Sequence, residues 1–459
     1  MKSFLISGDR SGSGKTSISI AIAACLSEEY KVQTFKVGMD YIDPSYLTGV
    51  TGRACRNLDS FVLNYDQIRE IYSNSCSGND IALIEGVRGL YEGADALNDE
   101  GSTASVAKAL DQPVVLVVNA RSITRSAAAI VKGFAAFDPD INIKGVILNQ
   151  IGGERHREKA VKAIEHFCEL PVIGTVPRAE EMKLTMRHLG LVPYLEGRAD
   201  SEFLNRVDKV KEVIGRHLDF DALLDAAADI PQKSKTGDLR RSDECNDIRV
   251  AVAVDEAFNF YYADLFDTLN SCGADYVTFS PIHDRLPDAD GYILGGGYPE
   301  LFGNELMAND SVREAIAECS ANGVPVYAEC GGLIYLMDSI VLKDGYLGST
   351  GERSFDMCGV FSGEARMPAR RIVGYVEGES CGGVLGDSAF RGHEFHHTDV
   401  RLSGNPKFAY RLSRGEGIID NKDGVYVKNT QGSYTHLHPV ASALMLSHFV
   451  NKCRFTRVH

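Results

Sequence analysis

A chain of 459 residues, 44% hydrophobic and 24% charged, has room for two or three ordinary domains. Its formal net charge of −15 argues against nucleic acid as a partner, while leaving room for local positive pockets that hold anions. No apolar run is long enough to span a bilayer and the N-terminus lacks the layout of a signal peptide, so a cytoplasmic protein without membrane contact is expected.

The first apolar run begins at Phe4 and breaks at once into Ser11-Gly-Ser-Gly-Lys-Thr16, followed by the helix-compatible stretch Ser17 to Leu26. Strand, glycine-rich loop and helix in that order predict a phosphate-binding loop. Backbone amides of Ser11, Gly12, Ser13 and Gly14 would face phosphate oxygens, as the helix N-terminus does. Lys15 would reach the β- and γ-phosphates, and the Thr16 hydroxyl would sit on magnesium. The pattern is imperfect, because Asp9 stands where the first glycine is usual and Gly8 comes one residue earlier. The competing reading is a glycine turn with one exposed lysine.

A second strand, Val32 to Gly38, leads into Met39-Asp-Tyr-Ile-Asp-Pro44. Asp40 and Asp43 lie just past the strand end, where ligands bind in open α/β sheets. Asp40 is assigned to magnesium and Asp43 to the substrate; a turn rich in Asp and Pro is the alternative. Arg53, Arg56 and Asn57 can hold carboxylates of an acidic substrate or form a solvated loop. The strand Ile81 to Glu85 ends in an acid, expected as the second carboxylate on the metal side, and the glycines after it allow a close backbone approach. Pro113 to Asn119 is a continuous apolar strand of the kind covered on both faces. The strand from Ile143 ends at Asn149, which is expected to meet the nucleotide base. Another strand runs through Leu170 to Pro177, and 178–225 reads as mostly helical, broken by Gly190 and Pro193. The alternation predicts one doubly wound α/β domain over 1–225. Residues 226–247 have few large apolar side chains and no strong period, which predicts a linker.

A second domain is expected over 248–459. Its strands Ile248 to Val254, Tyr276 to Phe279 and Gly291 to Leu294 precede Gly295-Gly-Gly-Tyr-Pro-Glu300. The amides of Gly296 and Gly297 can turn toward a developing negative charge, or the glycines can form a bare turn. The eleven cysteines are scattered with no Cys-x-x-Cys pair, so a catalytic cysteine has to be found by its context. Cys330 provides one. It stands between Glu329 at a strand end and Gly331-Gly332 at a helix start, a nucleophile elbow with sulfur in place of the hydroxyl. The helix N-terminus is expected to lower the thiol pKa and the Gly331 amide to donate to an oxyanion. A buried inert cysteine is the alternative. In Gly432-Ser-Tyr-Thr-His-Leu-His-Pro439, His436 and His438 share a side if extended, and His436 is taken as the base. No acid stands two residues beyond His436, so a third triad member is absent or comes from elsewhere. The polar and aromatic stretch Arg391 to His397 is read as a rim facing the substrate or the other domain, ahead of a metal site.

Joined in one chain, these halves suggest glutamine hydrolysis supplying ammonia to a carboxylate that ATP has activated as an acyl phosphate. A shielded passage would keep the ammonia unprotonated. A nucleotide switch with an inactive amidase-like regulator is the non-enzymatic alternative.

The sequence resembles the cobyrinic acid a,c-diamide synthase family over nearly its whole length. The resemblance rests on Ser11–Thr16, Asp40-Tyr-Ile-Asp-Pro44, Arg56-Asn-Leu-Asp59, Glu85-Gly-Val-Arg-Gly-Leu-Tyr-Glu-Gly93, Gly295–Glu300, Glu329-Cys-Gly-Gly-Leu333, Gly392-His-Glu-Phe-His396 and Tyr434-Thr-His436. It implies an N-terminal domain like dethiobiotin synthetase and a C-terminal class I glutamine amidotransferase domain, with a reduced Cys-His pair. It also implies ATP and Mg2+ as cofactors, glutamine as nitrogen source, and amidation of the a and c acetates of an acidic tetrapyrrole. Tyr46 and Leu47 would then pack against the macrocycle, unless they simply fill the core. Four positions depart from the pattern. Met39 replaces a frequent proline, and Arg10 stands where related partitioning ATPases carry a lysine. Arg88 and Glu92 stand where the cobalamin branch usually has methionine and aspartate. Arg88 could pair with an extra acetate or propionate of a less methylated ring, which favours the nickel-sirohydrochlorin branch over cobyrinic acid. Cobyric acid synthase is a further alternative, and a homodimer is one allowed assembly.

Overall fold

The computed structural model describes residues 1–179, 182, 186–187, 190–191, 193–197, 200–231, 247–348 and 350–457. The chain divides into two compact units, Met1–Thr236 and Gly237–His459. The division falls inside the stretch expected as a linker, most of which, 232–246, lies outside the described residues. Its start is not linker. Ala228–Asp229 is a short strand paired antiparallel with the first strand of the chain, Lys2 opposite Asp229 and Ser3 opposite Ala228.

The first unit is built on strands β1 (Lys2–Gly8), β2 (Val32–Val37), β3 (Arg56–Leu58), β4 (Ile81–Glu85), β5 (Val114–Asn119), β6 (Ile143–Ile151) and β7 (Val172–Pro177). They pair in the order β3-β2-β4-β1-β5-β6-β7, every neighbour parallel. Near-continuous apolar runs suit strands covered on both faces, and β2 and β4 are buried along their whole lengths. Helix α1 (Lys15–Leu26) follows Gly14, whose φ of 91° is a left-handed conformation that glycine adopts freely. Helix α2 (Ile42–Thr51) starts where the Asp40 carboxylate accepts from the Ile42 and Asp43 amides, and it stops at Gly52. Between 178 and 225 the described residues hold the helices Tyr194–Gly197, Ser201–His217 and Phe220–Ala226, and also short strands at Met186–Arg187 and Gly190–Leu191.

Burial corrects one expectation here. Tyr46 and Leu47 are fully buried. The Tyr46 ring packs 5.8 Å from Tyr194 and 5.5 Å from Phe203, centroid to centroid. Their place on α2 turns them into the core, so they present no face to a macrocycle.

The second unit carries a ten-stranded sheet. Its first five strands, in spatial order Ala274–Phe279, Ile248–Ala253, Gly291–Leu294, Val326–Glu329 and Thr430–Ser433, are parallel. The next five, Lys422–Val427, Lys407–Arg414, Ile372–Ser380, Ser388–His396 and Thr435–Leu437, pair antiparallel. A core including Leu294, Val326, Ala328, Leu333 and Tyr335 holds the end of Val326–Glu329 and the short helix Gly331–Tyr335 in place.

Candidate active site

Two clusters of chemistry stand at carboxyl ends of parallel strands. In the first unit, the register sets Lys36 on β2 directly opposite Glu85 on β4. Lys36 Nζ lies 2.9 Å from Glu85 Oε1 and 2.5 Å from Asp43 Oδ2. Lys15 Nζ lies 3.0 Å from Glu85 Oε1. The Thr16 hydroxyl donates at 2.7 Å to Glu85 Oε1 and stands 3.1 Å from Asp43 Oδ2. Two ammonium groups and two carboxylates are thus interlocked beneath the glycine loop. Burial pushes the Lys15 ammonium below its ordinary range, helped by the like charge of Lys36. Burial also opposes the charge on Glu85, but Lys36 and Lys15 outweigh it and hold the carboxyl down at about 2. Asp43 goes the other way, raised to about 6 by burial and by the like charge of Asp40.

Several expected residues fall in different places from those assigned. Asp43 meets the Thr16 hydroxyl, while Asp40 Oδ1 accepts from the amides that start α2. Asn57 is no free carboxylate binder, since its amide nitrogen donates to the Gly38 and Asp40 carbonyls. Asn149 donates to the Ser13 carbonyl at 2.8 Å, and a Cβ on Gly14 would overlap its amide. It therefore braces the loop. Arg10 turns to the neighbouring Asp9 carboxylate at 2.7 Å. Arg53 and Arg56 are half-buried, and Arg88 is exposed with its guanidinium on the Gly93 carbonyl. Lys36 was missed altogether. Its only signal was one lysine inside an otherwise uncharged strand, next to the turn that holds the two aspartates.

In the second unit, Cys330 sits at the turn with φ 45° and ψ −96°, a conformation that costs energy for any residue with a Cβ. Its amide donates to the Ser433 carbonyl at 2.7 Å, and the next turn is fixed by the Gly332 amide on the Gly295 carbonyl at 2.9 Å. Glycine is needed throughout because backbone and His436 crowd these positions. A Cβ on Gly331 would stand 2.9 Å from Gly297 N, one on Gly296 would stand 2.7 Å from His436 Cε1, and one on Gly297 or Gly332 would overlap a carbonyl oxygen. Cys330, Gly296, Gly297, Gly331 and His436 are thereby brought to one place.

The thiol does not follow the expected pKa. The helix after it spans only Gly331–Tyr335, while burial, then the charges of Glu300 and Glu329, push the thiol well up. The Gly331 amide pulls weakly against them. In this state the thiol hydrogen points to the Phe395 carbonyl at 3.6 Å.

His436 Nδ1 lies 3.2 Å from Glu329 Oε2, so a carboxylate does meet the imidazole, supplied by the residue before the cysteine. The sequence signal was an acid at the strand end, read only as a flank of Cys330. His393 is the register partner of His436, with rings stacked at 4.8 Å and 22°. Within Arg391–His397, His393 and His396 are buried in their strand, Arg391 is exposed, and Phe395 and His397 are half-buried. His438 faces Asp264 at 4.0 Å and the Tyr262 ring at 4.8 Å. Among the described residues no group of three or more His, Cys, Asp or Glu side chains forms a metal cluster, and no helix is long and apolar enough to cross a membrane.

Comparison with known proteins assigns a family to each unit. Residues 4–192 match the CobQ/CobB/MinD/ParA nucleotide binding domain, and residues 249–443 match the CobB/CobQ-like glutamine amidotransferase domain. The cobyrinate a,c-diamide synthase of Methanosarcina acetivorans is 50% identical over 95% of this chain and 92% of its own. The chain belongs to the cobyrinate a,c-diamide synthase family. The corresponding synthases of Methanosarcina barkeri and Methanothermobacter thermautotrophicus are 47% and 43% identical, over 98% and 97% of this chain and 95% and 98% of theirs. The two domains make the protein a glutamine-hydrolysing carbon–nitrogen ligase, with α/β architecture in both halves. The non-enzymatic switch is set aside.

Proposed function

We propose that the protein amidates the a and c acetate carboxylates of cobyrinate, using glutamine as nitrogen source and ATP to activate each carboxylate. The observation that carries this reading is the match along the full chain to relatives bearing that activity in their name, from 40% to 50% identical. These names favour the cobalt substrate, which was the alternative to the expected nickel-sirohydrochlorin.

In this reading Cys330 attacks the side-chain carbonyl of glutamine. His436 takes the thiol proton and returns it to the departing ammonia, and water then hydrolyses the thioester to glutamate. Amides of Gly296, Gly297 and Gly331 are proposed to face the oxyanion. In the first unit the loop Ser11–Thr16 cradles the triphosphate, with Lys15 and Lys36 balancing its charge. The γ-phosphate passes to the substrate carboxylate, giving ADP and an acyl phosphate, from which ammonia displaces phosphate. Magnesium would be held by Thr16, Asp43 and Glu85 and would supply charge neutralisation on the phosphates. These groups fit it, because Glu85 Oε2 is buried without a hydrogen bond beside the Thr16 hydroxyl. Arg53, Arg56 and Arg88 are proposed to meet carboxylates of the macrocycle.

Nickel-sirohydrochlorin is the second reading, favoured by the exposed Arg88. Mass spectrometry of products with both substrates in parallel separates the two. Diamidated cobyrinate at the higher rate is expected. Preferential diamidation of the nickel ring would establish the second reading, and no amidation of either would overturn both.

A further inference from the structure

We propose that Glu329, the residue immediately before Cys330, is a positioning residue that fixes the ring and tautomer of His436; this rests on the glutaminase reading above. A base needs one ring nitrogen that carries a lone pair and no hydrogen. A carboxylate that accepts the Nδ1 hydrogen fixes the tautomer in which Nε2 is that nitrogen.

The carboxylate is itself tightly held. Glu329 Oε2 meets His436 Nδ1 at 3.2 Å. Glu329 Oε1 accepts from the Leu437 amide at 3.1 Å and from the Tyr327 hydroxyl at 2.5 Å. The Leu437 contact ties the carboxylate to the backbone next to the histidine, so ring and carboxylate are located by the same strand. His393 closes the ring's face by stacking across the register pair. The imidazole thus has a partner at its edge and a wall on its face.

Other buried acids nearby are committed elsewhere. The Asp423 carboxylate accepts from the Tyr434 and Thr435 amides and from the Thr435 hydroxyl. Glu394 accepts from the Glu416 and Gly417 amides. Glu300 lies 3.7 Å from His397, and Asp264 lies 4.0 Å from His438. The strained backbone at Cys330 lets adjacent residues serve one reaction from two directions, the thiol and, through its carboxylate, the base. Leu437 and His438 follow His436, so the carboxylate comes from the residue that precedes the nucleophile.

The test uses the full chain with ATP and cobyrinate, measuring glutamate release and, separately, amidation driven by ammonium salt. Glu329→Ala should lower the glutamine-dependent kcat by about 10²–10⁴-fold, with KM for glutamine within about twofold of the parent. Glu329→Gln should also lower kcat with KM little changed, since its single amide oxygen stays with the Leu437 amide and the Tyr327 hydroxyl and its NH2 group then donates to Nδ1, reversing the tautomer. Ammonium-driven amidation should stay at the parental rate in both. The Gln variant keeps acceptors for Leu437 and Tyr327, so it carries the test if the Ala variant fails to fold. Parental kcat in Glu329→Gln and in any folded Glu329→Ala, with Cys330→Ala inactive on glutamine, would overturn this proposal and leave the reading standing. Glutamine turnover by Cys330→Ala would overturn the reading and the proposal together.

Discussion

The phosphate-loop cluster and the cysteine cluster stand at comparable places in their sheets and are organised by opposite means. In the first, the buried Lys15, Lys36 and Glu85 and the half-buried Asp43 hold one another by charge. In the second, Cys330 and His436 are placed by backbone. A strained Cys330 turn is pressed against two glycines, and Glu329 and His393 box the His436 ring. A buried ion network is sensitive to the loss of any one charge, because the remainder is left in low dielectric. The stability of a backbone-built site is sensitive to an added methyl group, because close-packed atoms leave no room for it.

The sharpest way to separate the two is Cys330→Ala. Glutamine-dependent amidation should fall at least about a thousandfold, while ammonium-driven amidation persists, as product assays with each nitrogen source would record. Next comes Lys36→Met, which leaves Asp43 and Glu85 facing each other. Thermal or urea unfolding should show a loss of about 3–5 kcal/mol, and a loss under 1 kcal/mol would mean the network is not organised by charge. Gly297→Ala should cost about 1–3 kcal/mol by overlap with the Ala257 carbonyl. It should also depress glutamate release while leaving ATP-dependent, ammonium-driven amidation intact.

The smallest effect is a pH slope. Asp43 is raised from its ordinary 3.8 to about 6, so its contribution to stability is complete below 3.8 and is lost as pH rises through about 6. Glu85, lowered from 4.5 to about 2, contributes above 4.5 and loses that contribution as pH falls through about 2. Asp43→Asn should flatten the unfolding midpoint between about pH 4 and 6. A parental curve in the variant would show that Asp43 is not the titrating group.

The same contrast explains what could be read from the sequence. The α/β class and both glycine-rich turns were legible because they depend on local pattern: an apolar strand, glycines, then a helix. Lys36 and Glu329 were not, because each acts through a partner dozens of residues away. Lys36 meets Glu85 only through the β2–β4 register, and Glu329 meets His436 only when the chain returns after more than a hundred residues. Tyr46 and Leu47 failed for a related reason. Sequence places them beside Asp43, but the helical turn from Asp43 carries them into the core, against Tyr194 and Phe203 in Tyr46's case. That Asp43 meets the Thr16 hydroxyl while Asp40 Oδ1 caps the helix was hidden as well, because three residues of helix start decide which carboxylate meets those amides.

The most direct test of the account follows the nitrogen. Cobyrinate, ATP and magnesium would be supplied with amide-¹⁵N glutamine and unlabelled ammonium together, and product masses compared for the parent and Cys330→Ala. The parent should yield diamide carrying ¹⁵N and the variant unlabelled diamide. Labelled diamide from Cys330→Ala would contradict this account.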